Sequence, residues 1–359
     1  MNLNKRKRIG FLSYYGFGRG LAYVTLCYAK MLKDGYDIFI LKQGTNPIGE
    51  EFKLDGVNVQ EYPNYVVPEE VFAKWVEQNK LDAVVFNEYK QWTDEPSNHL
   101  QTAKDLGCKV YGYLVAERLL PEQANGYDRI LSPCNTMQKL MRTYKIRNFT
   151  YVPYSIDFNE FPKKERNLEE TFTFFHPGGW GGVHDRKNTE AVIEAFKLLD
   201  RKDTKLIITS QKPFKTSSEL PENVEVIVKD MTRKELIDLY YKSDVVVLPS
   251  KWETVGIPTL EAMAAGVPLI VTDTPPMNEF VRLGTNGYLC QPNMVKYDGI
   301  MIWAAEVDSI EIKKQMQNIM NPDMYKVLAG NARYVAEQLY DLEKNKKYFL
   351  DFLSEDLLK

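Results

Sequence analysis

The residues with the most chemistry in reach lie in SDVVVLPSKWETVGIPTLEAMAAGVPLIVTD, which runs from Ser243 to Asp273. Four apolar residues, Val245 to Leu248, read as a buried strand. The loop after them carries Glu253, Thr254, Val255 and Gly256, and Pro258 suits the first turn of a helix, where its missing N–H has no intrahelical partner to lose. Gly266 suits the residue just past the helix end. A helix opening at the carboxyl end of a parallel strand presents unpaired N–H groups and a positive dipole end, so a phosphate or diphosphate is its natural occupant. Glu253 stands before that helix and Glu261 about one turn inside it. Their spacing can aim both carboxylates into one pocket. Ionised carboxylates only accept hydrogen bonds, so beside a phosphate site they suit neutral donors such as sugar and ribose hydroxyls. The alternative makes Glu261 a helix-surface acid and Glu253 a capping residue, placed where negative charge is favoured anyway. Spacing alone leaves the two readings level.

A second glycine-rich turn, Gly16-x-Gly18-x-Gly20, follows the apolar run from Arg8 to Tyr15. Its third glycine comes one residue too early for a dinucleotide fingerprint, and no acidic residue clearly ends the next strand.

Elements that could position these residues alternate along the chain. In the first half Arg8 to Tyr15, Asp37 to Leu41, Ala83 to Phe86, Val110 to Val115 and Arg129 to Leu131 read as strands, with helices between them and a short extended piece from Phe149 to Pro153. After a polar, turn-rich stretch from Ser155 to Glu165, the pattern resumes with Phe172 to His176, Lys205 to Thr209, Val224 to Val228, Asp244 to Leu248 and Pro268 to Thr272. Strands alternating with helices predict parallel sheets covered on both faces. The fold class is therefore α/β, as two Rossmann-like doubly wound domains. One covers residues 1–155 and the other 156–335, and a terminal helix at about 336–359 crosses back onto the first.

The segment from Ser243 to Asp273 resembles the donor-binding motif of retaining GT-B glycosyltransferases of family 4 (glycosyl transferases group 1). There a Pro-Ser, a Glu, a glycine turn and a second Glu eight residues on precede Ala-Met-Ala and Gly-Val-Pro. The linker Val152 to Asp157 with Phe161, the loop Asp185-Arg186-Lys187-Asn188, and Glu279 to Val281 with Asn286-Gly287 resemble further family signatures in the same order. The resemblance implies the GT-B fold, with its two domains facing across a cleft. It also implies transfer of a sugar from a nucleoside-diphosphate sugar, such as a UDP- or GDP-sugar, to a glycan, lipid-linked or protein acceptor, with retention of configuration. By the same likeness Glu261 holds the ribose hydroxyls and Glu253 the transferred sugar, while the N–H groups of Thr254, Val255 and Gly256 hold the sugar and distal phosphate. Lys187 contacts the diphosphate, and Gly16 and Gly18 face it from the first domain.

Three departures qualify the likeness. The family's usual arginine before the lysine is missing from Gly178-Gly179-Trp180-Gly181-Gly182, and Arg186 is the residue that can replace its charge; otherwise Arg186 and Lys187 are exposed loop charges that Asp185 offsets. No histidine follows the fourth strand, where Glu117 or Arg118 can stand in at the acceptor, the other reading being that the two simply pair with each other. Pro275-Pro276 replaces two glycines near the donor, which removes backbone donors.

Composition narrows the partners. A net charge of -3 gives no field for nucleic acid, and the one basic cluster, Lys5 to Arg8, offers at most a weak peripheral contact with anionic lipid. No run approaches the roughly 18 apolar residues of a membrane span, so the expectation is a cytoplasmic protein, at most touching the inner face of a membrane. Cys27, Cys108, Cys134 and Cys290 are far apart and read as reduced, buried thiols. Asp-x-Asp occurs nowhere, so the expectation is no metal and no cofactor, with two cations doing a metal's electrostatic work. The rival from another class is a non-catalytic GT-B-like subunit that stabilises a partner glycosyltransferase; an epimerase or phosphorylase on the same fold is a further one.

Overall fold

The computed structural model describes residues 6–16, 20–91, 98–164, 170–180, 183–214, 216 and 219–357. The chain separates into two compact units, one of Met1–Ser155 with Leu342–Lys359, the other of Ile156–Asp341.

The first unit holds a seven-stranded parallel sheet in the order β3-β2-β1-β4-β5-β6-β7. Its strands are β1 (Arg8–Ser13), β2 (Asp37–Gln43), β3 (Val57–Tyr62), β4 (Ala83–Asn87), β5 (Lys109–Tyr113), β6 (Arg129–Ser132) and β7 (Phe149–Tyr151). Helices α1 (Gly20–Leu32), α2 (Glu69–Asn79), α3 (His99–Asp105), α4 (Pro121–Ala124) and α5 (Asn135–Thr143) connect them. β1 and β4 lie centrally and are almost wholly buried, which is why they read as unbroken apolar runs. β3, which sequence reading passed over, is an edge strand, at the opposite side of the sheet from β7. Its residues VNVQEY alternate between half-buried and exposed, so no apolar run marks it.

The second unit repeats the plan with six parallel strands in the order β10-β9-β8-β11-β12-β13. These are β8 (Phe172–Gly179), β9 (Thr204–Ser210), β10 (Val224–Val228), β11 (Val245–Leu248), β12 (Leu269–Thr272) and β13 (Gly287–Cys290). Helices α6 (Thr189–Leu199), α7 (Arg233–Lys242), α8 (Ile257–Ala264), α9 (Met277–Phe280), α10 (Ser309–Ile319) and α11 (Pro322–Leu339) accompany them. Between β13 and α10 a small antiparallel pair, β14 (Asn293–Val295) and β15 (Ala304–Glu306), is an addition that sequence reading did not foresee.

The terminal segment is two helices rather than one. The helical spacing continues from α11 into α12 (Leu342–Leu357), but the chain breaks at Tyr340 and Asp341, where Ile156 N–H donates to the Tyr340 carbonyl at 2.7 Å. Apolar periodicity cannot register a break whose cause is a contact with a distant residue. α12 belongs to the first unit, where Phe349 meets Tyr28 edge-on at 5.2 Å and Tyr111 donates to Asp356 at 2.8 Å. All four cysteines are buried thiols.

Candidate functional site

In the second sheet the chain runs from β8 outward to β9 on one side and returns as β11 on the other, so the strand order reverses between β8 and β11. Loops leaving the carboxyl ends of such a pair diverge and leave a crevice, the usual ligand position in open α/β sheets. Both informative loops, residues 183–188 and 249–256, sit at this place, and they are stitched together. Lys251 N–H donates to the Arg186 carbonyl at 2.8 Å, and the Lys251 ammonium reaches the His184 carbonyl at 2.9 Å. Trp252, nearly buried, anchors the second loop among Ile300, Ala304 and Tyr297, residues of the β14–β15 addition.

The stitching brings three of the singled-out side chains together. Glu253 accepts from Arg186 Nη1 at 2.7 Å on one oxygen and from Lys187 Nζ at 2.5 Å on the other. Lys187 and Glu253 are buried at 6% and 8% exposure, so these are not solvated loop charges and Glu253 is not a surface cap. Burial by itself raises the Glu253 carboxyl, but the guanidinium and ammonium beside it prevail and hold it at about 2. Asp185 does not offset these cations. It turns to α6, accepting from Thr189 N–H at 3.0 Å and Glu190 N–H at 3.3 Å, and so caps that helix in place of Asn188. Asn188 instead donates to the Val307 carbonyl at 2.8 Å.

α8 opens where the residue pattern says. Gly256 has φ +75°, a left-handed conformation that strains any other residue, and Pro258 sits in the first turn. Thr254 and Val255 precede it, both buried. At the far end Gly266 is left-handed and donates to the Met263 carbonyl at 2.9 Å.

Glu261 is buried at 2% exposure, not a helix-surface acid, and it engages partners different from those of Glu253. It pairs with Arg233 Nη1 through one oxygen and accepts from the Tyr240 hydroxyl at 2.8 Å through the other. Glu253 leans from its loop toward residues 186–187, whereas Glu261 points from the helix toward α7. Arg233 and Tyr240 were missed in the sequence. A signal existed, since Thr232-x-x-Glu235 forms a capping box and an arginine directly after the cap sits against the helix dipole.

The remaining residues lie in the first unit. Gly16 follows β1, and a Cβ there would come within 3.0 Å of the Asn46 and Pro47 carbonyl oxygens, a packing reason for glycine. Gly18 lies outside the described residues. Glu117 sits buried in a single helical turn after β5, with Arg118 beside it. His176, buried in the second unit, bridges the Val247 carbonyl and Thr189, and burial lowers its imidazole to about 4.

Two Rossmann-like α/β units of this topology define the GT-B fold. It is shared over nearly the whole chain by sucrose-phosphate synthase from Thermosynechococcus elongatus (TM-score 0.74, 14% identity, 98% of this chain and 99% of that one) and by Anabaena Alr3699/HepE in complex with UDP and glucose (TM-score 0.73, 16% identity, 98% and 100%). Residues 159–326, all within the second unit, match the model of glycosyl transferases group 1. N-acetyl-alpha-D-glucosaminyl L-malate synthase of Bacillus anthracis is 33% identical over 110 residues, 29% of each chain. The chain spans about a third of the length of the curated relatives it matches. Among the described residues no helix is long and apolar enough to cross a membrane.

Proposed function

We propose that this chain is a retaining glycosyltransferase that moves a sugar from a nucleoside-diphosphate sugar to a glycan, lipid-linked or protein acceptor and needs no metal. The observation that carries the reading is the Arg186–Glu253–Lys187 cluster, with Glu253 and Lys187 buried, beside the first turn of α8 and inside the segment that matches the glycosyl transferases group 1 model. Burying charges is costly unless they pair. Strongly perturbed, charge-paired groups of this kind cluster at functional sites.

In this reading the second unit binds the donor. Arg186 and Lys187 take the diphosphate and stabilise the charge that grows on it as the glycosidic bond breaks, the task a divalent cation performs elsewhere. The backbone of Thr254, Val255 and Gly256 adds donors from the start of α8. Once the diphosphate occupies the two cations, Glu253 is released to accept from hydroxyls of the transferred sugar, and Glu261 accepts from the ribose. The first unit, which carries Glu117, receives the acceptor in the same reading. Retention follows if the departing phosphate oxygen takes the acceptor's proton on the face it leaves. The complex of the Anabaena neighbour with UDP and glucose supports a nucleotide-sugar donor.

The test is a thermal-shift series in EDTA with UDP, GDP, ADP, CDP and dTDP. The expected result is a raised melting temperature with one of them, of a size that ligand linkage puts at roughly 2.7 kcal/mol at a hundredfold excess over Kd, and loss of the effect in Lys187→Ala. No shift with any nucleotide overturns the donor site and favours the non-catalytic subunit. The anomeric configuration of the product, read by NMR, tests retention.

A further inference from the structure

Arg233 occupies a position that ordinary helix energetics disfavours. It directly follows the N-cap Thr232 of α7, where the helix dipole repels a cation, and its side chain is only 10% exposed. Its guanidinium is nonetheless bonded to carboxylates through two nitrogens. Nη1 bonds one oxygen of Glu261, Nε donates to Glu160 at 2.8 Å, and the plane lies over the Phe161 ring at 5.3 Å. Tyr240, wholly buried, holds the other Glu261 oxygen at 2.8 Å. Glu160 and Phe161 come from the start of the second unit, so three distant segments meet at Arg233.

A carboxylate has roughly four acceptor positions, and Arg233 and Tyr240 fill one on each oxygen of Glu261. The carboxylate therefore keeps two positions while its orientation is set from both sides. We infer that Arg233 is a positioning residue for donor recognition: clamped between Glu160 and Phe161, it holds the Glu261 carboxylate aimed so that its remaining positions accept the hydroxyls of a ribose. This rests on the reading of Glu261 as the ribose acceptor and deepens it. Arginine is required because a lysine ammonium is a compact point charge that cannot reproduce the planar fork and the stacking at once.

The inference predicts selectivity, not just stability. By calorimetry, each of UDP, GDP and ADP is compared with its 2′-deoxy form, in wild type and in Glu261→Gln, Arg233→Lys, Glu160→Gln and Lys234→Ala. Lys234 adjoins Arg233 on the same helix, but its side chain is 85% exposed, and it serves as control. For the nucleotide that binds, wild type is expected to prefer the ribose form by roughly tenfold or more, the effect of losing one hydrogen bond to a charged acceptor. Glu261→Gln and Arg233→Lys are expected to shrink that preference to about twofold, Glu160→Gln to reduce it partly, and Lys234→Ala to leave it intact. A wild type without ribose preference strikes down the Glu261 reading itself. A wild-type preference that survives in folded Arg233→Lys overturns the role of Arg233 alone. Should Arg233→Lys fail to fold, an undiminished preference in Glu160→Gln, which leaves Arg233 in place but unclamped, overturns it equally.

Discussion

Replacing Glu253 by glutamine tests the charge balance of the candidate site in a way that needs no substrate. The neighbouring cations lower this carboxyl from 4.5 to about 2. A depressed folded-state value means that the ionised form stabilises the fold, fully above about 4.5 and progressively less as the pH falls toward 2. At about 1.4 kcal/mol for each pH unit, that contribution is roughly 3 kcal/mol. Glu253→Gln removes the negative charge that the buried Lys187 and the quarter-exposed Arg186 both pair with. The cost at pH 7 is expected to be about 3 kcal/mol, at the low end of the 3–5 kcal/mol for breaking a buried pair because Arg186 can turn to water. The assay is denaturant unfolding of both proteins at intervals from pH 7 to pH 3, followed by tryptophan fluorescence. Every other titrating group is common to the two and cancels in the difference. The stability gap is expected to be constant down to about pH 5 and to close below it. A gap that stays constant to pH 3 refutes the argument that the two cations hold Glu253 ionised.

Other perturbations follow from the same geometry. Gly256→Ala places a Cβ at φ +75° and is expected to cost roughly 1–2 kcal/mol in unfolding free energy and to weaken nucleotide binding measured by calorimetry. Asp185→Ala removes the cap of α6 and is expected to cost about 1 kcal/mol, read from chemical denaturation. His176 and His99 are buried with their imidazoles lowered to about 4, so the unfolded chain takes up protons that the folded one refuses; stability is expected to fall between about pH 6.5 and 4, and His176→Gln to make that limb about half as steep. Under the proposed function, in which Arg186 and Lys187 supply the positive charge, sugar transfer is expected to persist in excess EDTA, measured as product formed with and without the chelator.

Much of the fold was legible because a parallel sheet covered on both faces forces its central strands to be largely apolar, and β1, β4 and β11 carry such runs, as does the Phe-rich start of β8. The edge strand β3 was not, since half of its surface meets water and its composition resembles a loop. The bounds of α8 were readable from Pro258 and Gly266, residues whose backbone limits act locally. Local rules fail where the decisive contact is long-range. The break at Tyr340 depends on Ile156, and the β14–β15 addition is tied down by Trp252, some forty residues earlier in the chain.

The sequence by itself determined which side chains are chemically able to act, namely two acids at a spacing compatible with one helix opening and two adjacent cations in a glycine-flanked loop. It left open whether they were buried or solvated and which paired with which. Only the tertiary structure decided that Arg186 and Lys187 meet Glu253, that Asp185 leaves them to cap a helix, and that Glu261 belongs instead to Arg233 and Tyr240. The reason is physical: pairing between charges depends on their separation in space and on the water removed around them, and both are set by how β8 and β11 lie side by side, which spacing along the chain does not encode.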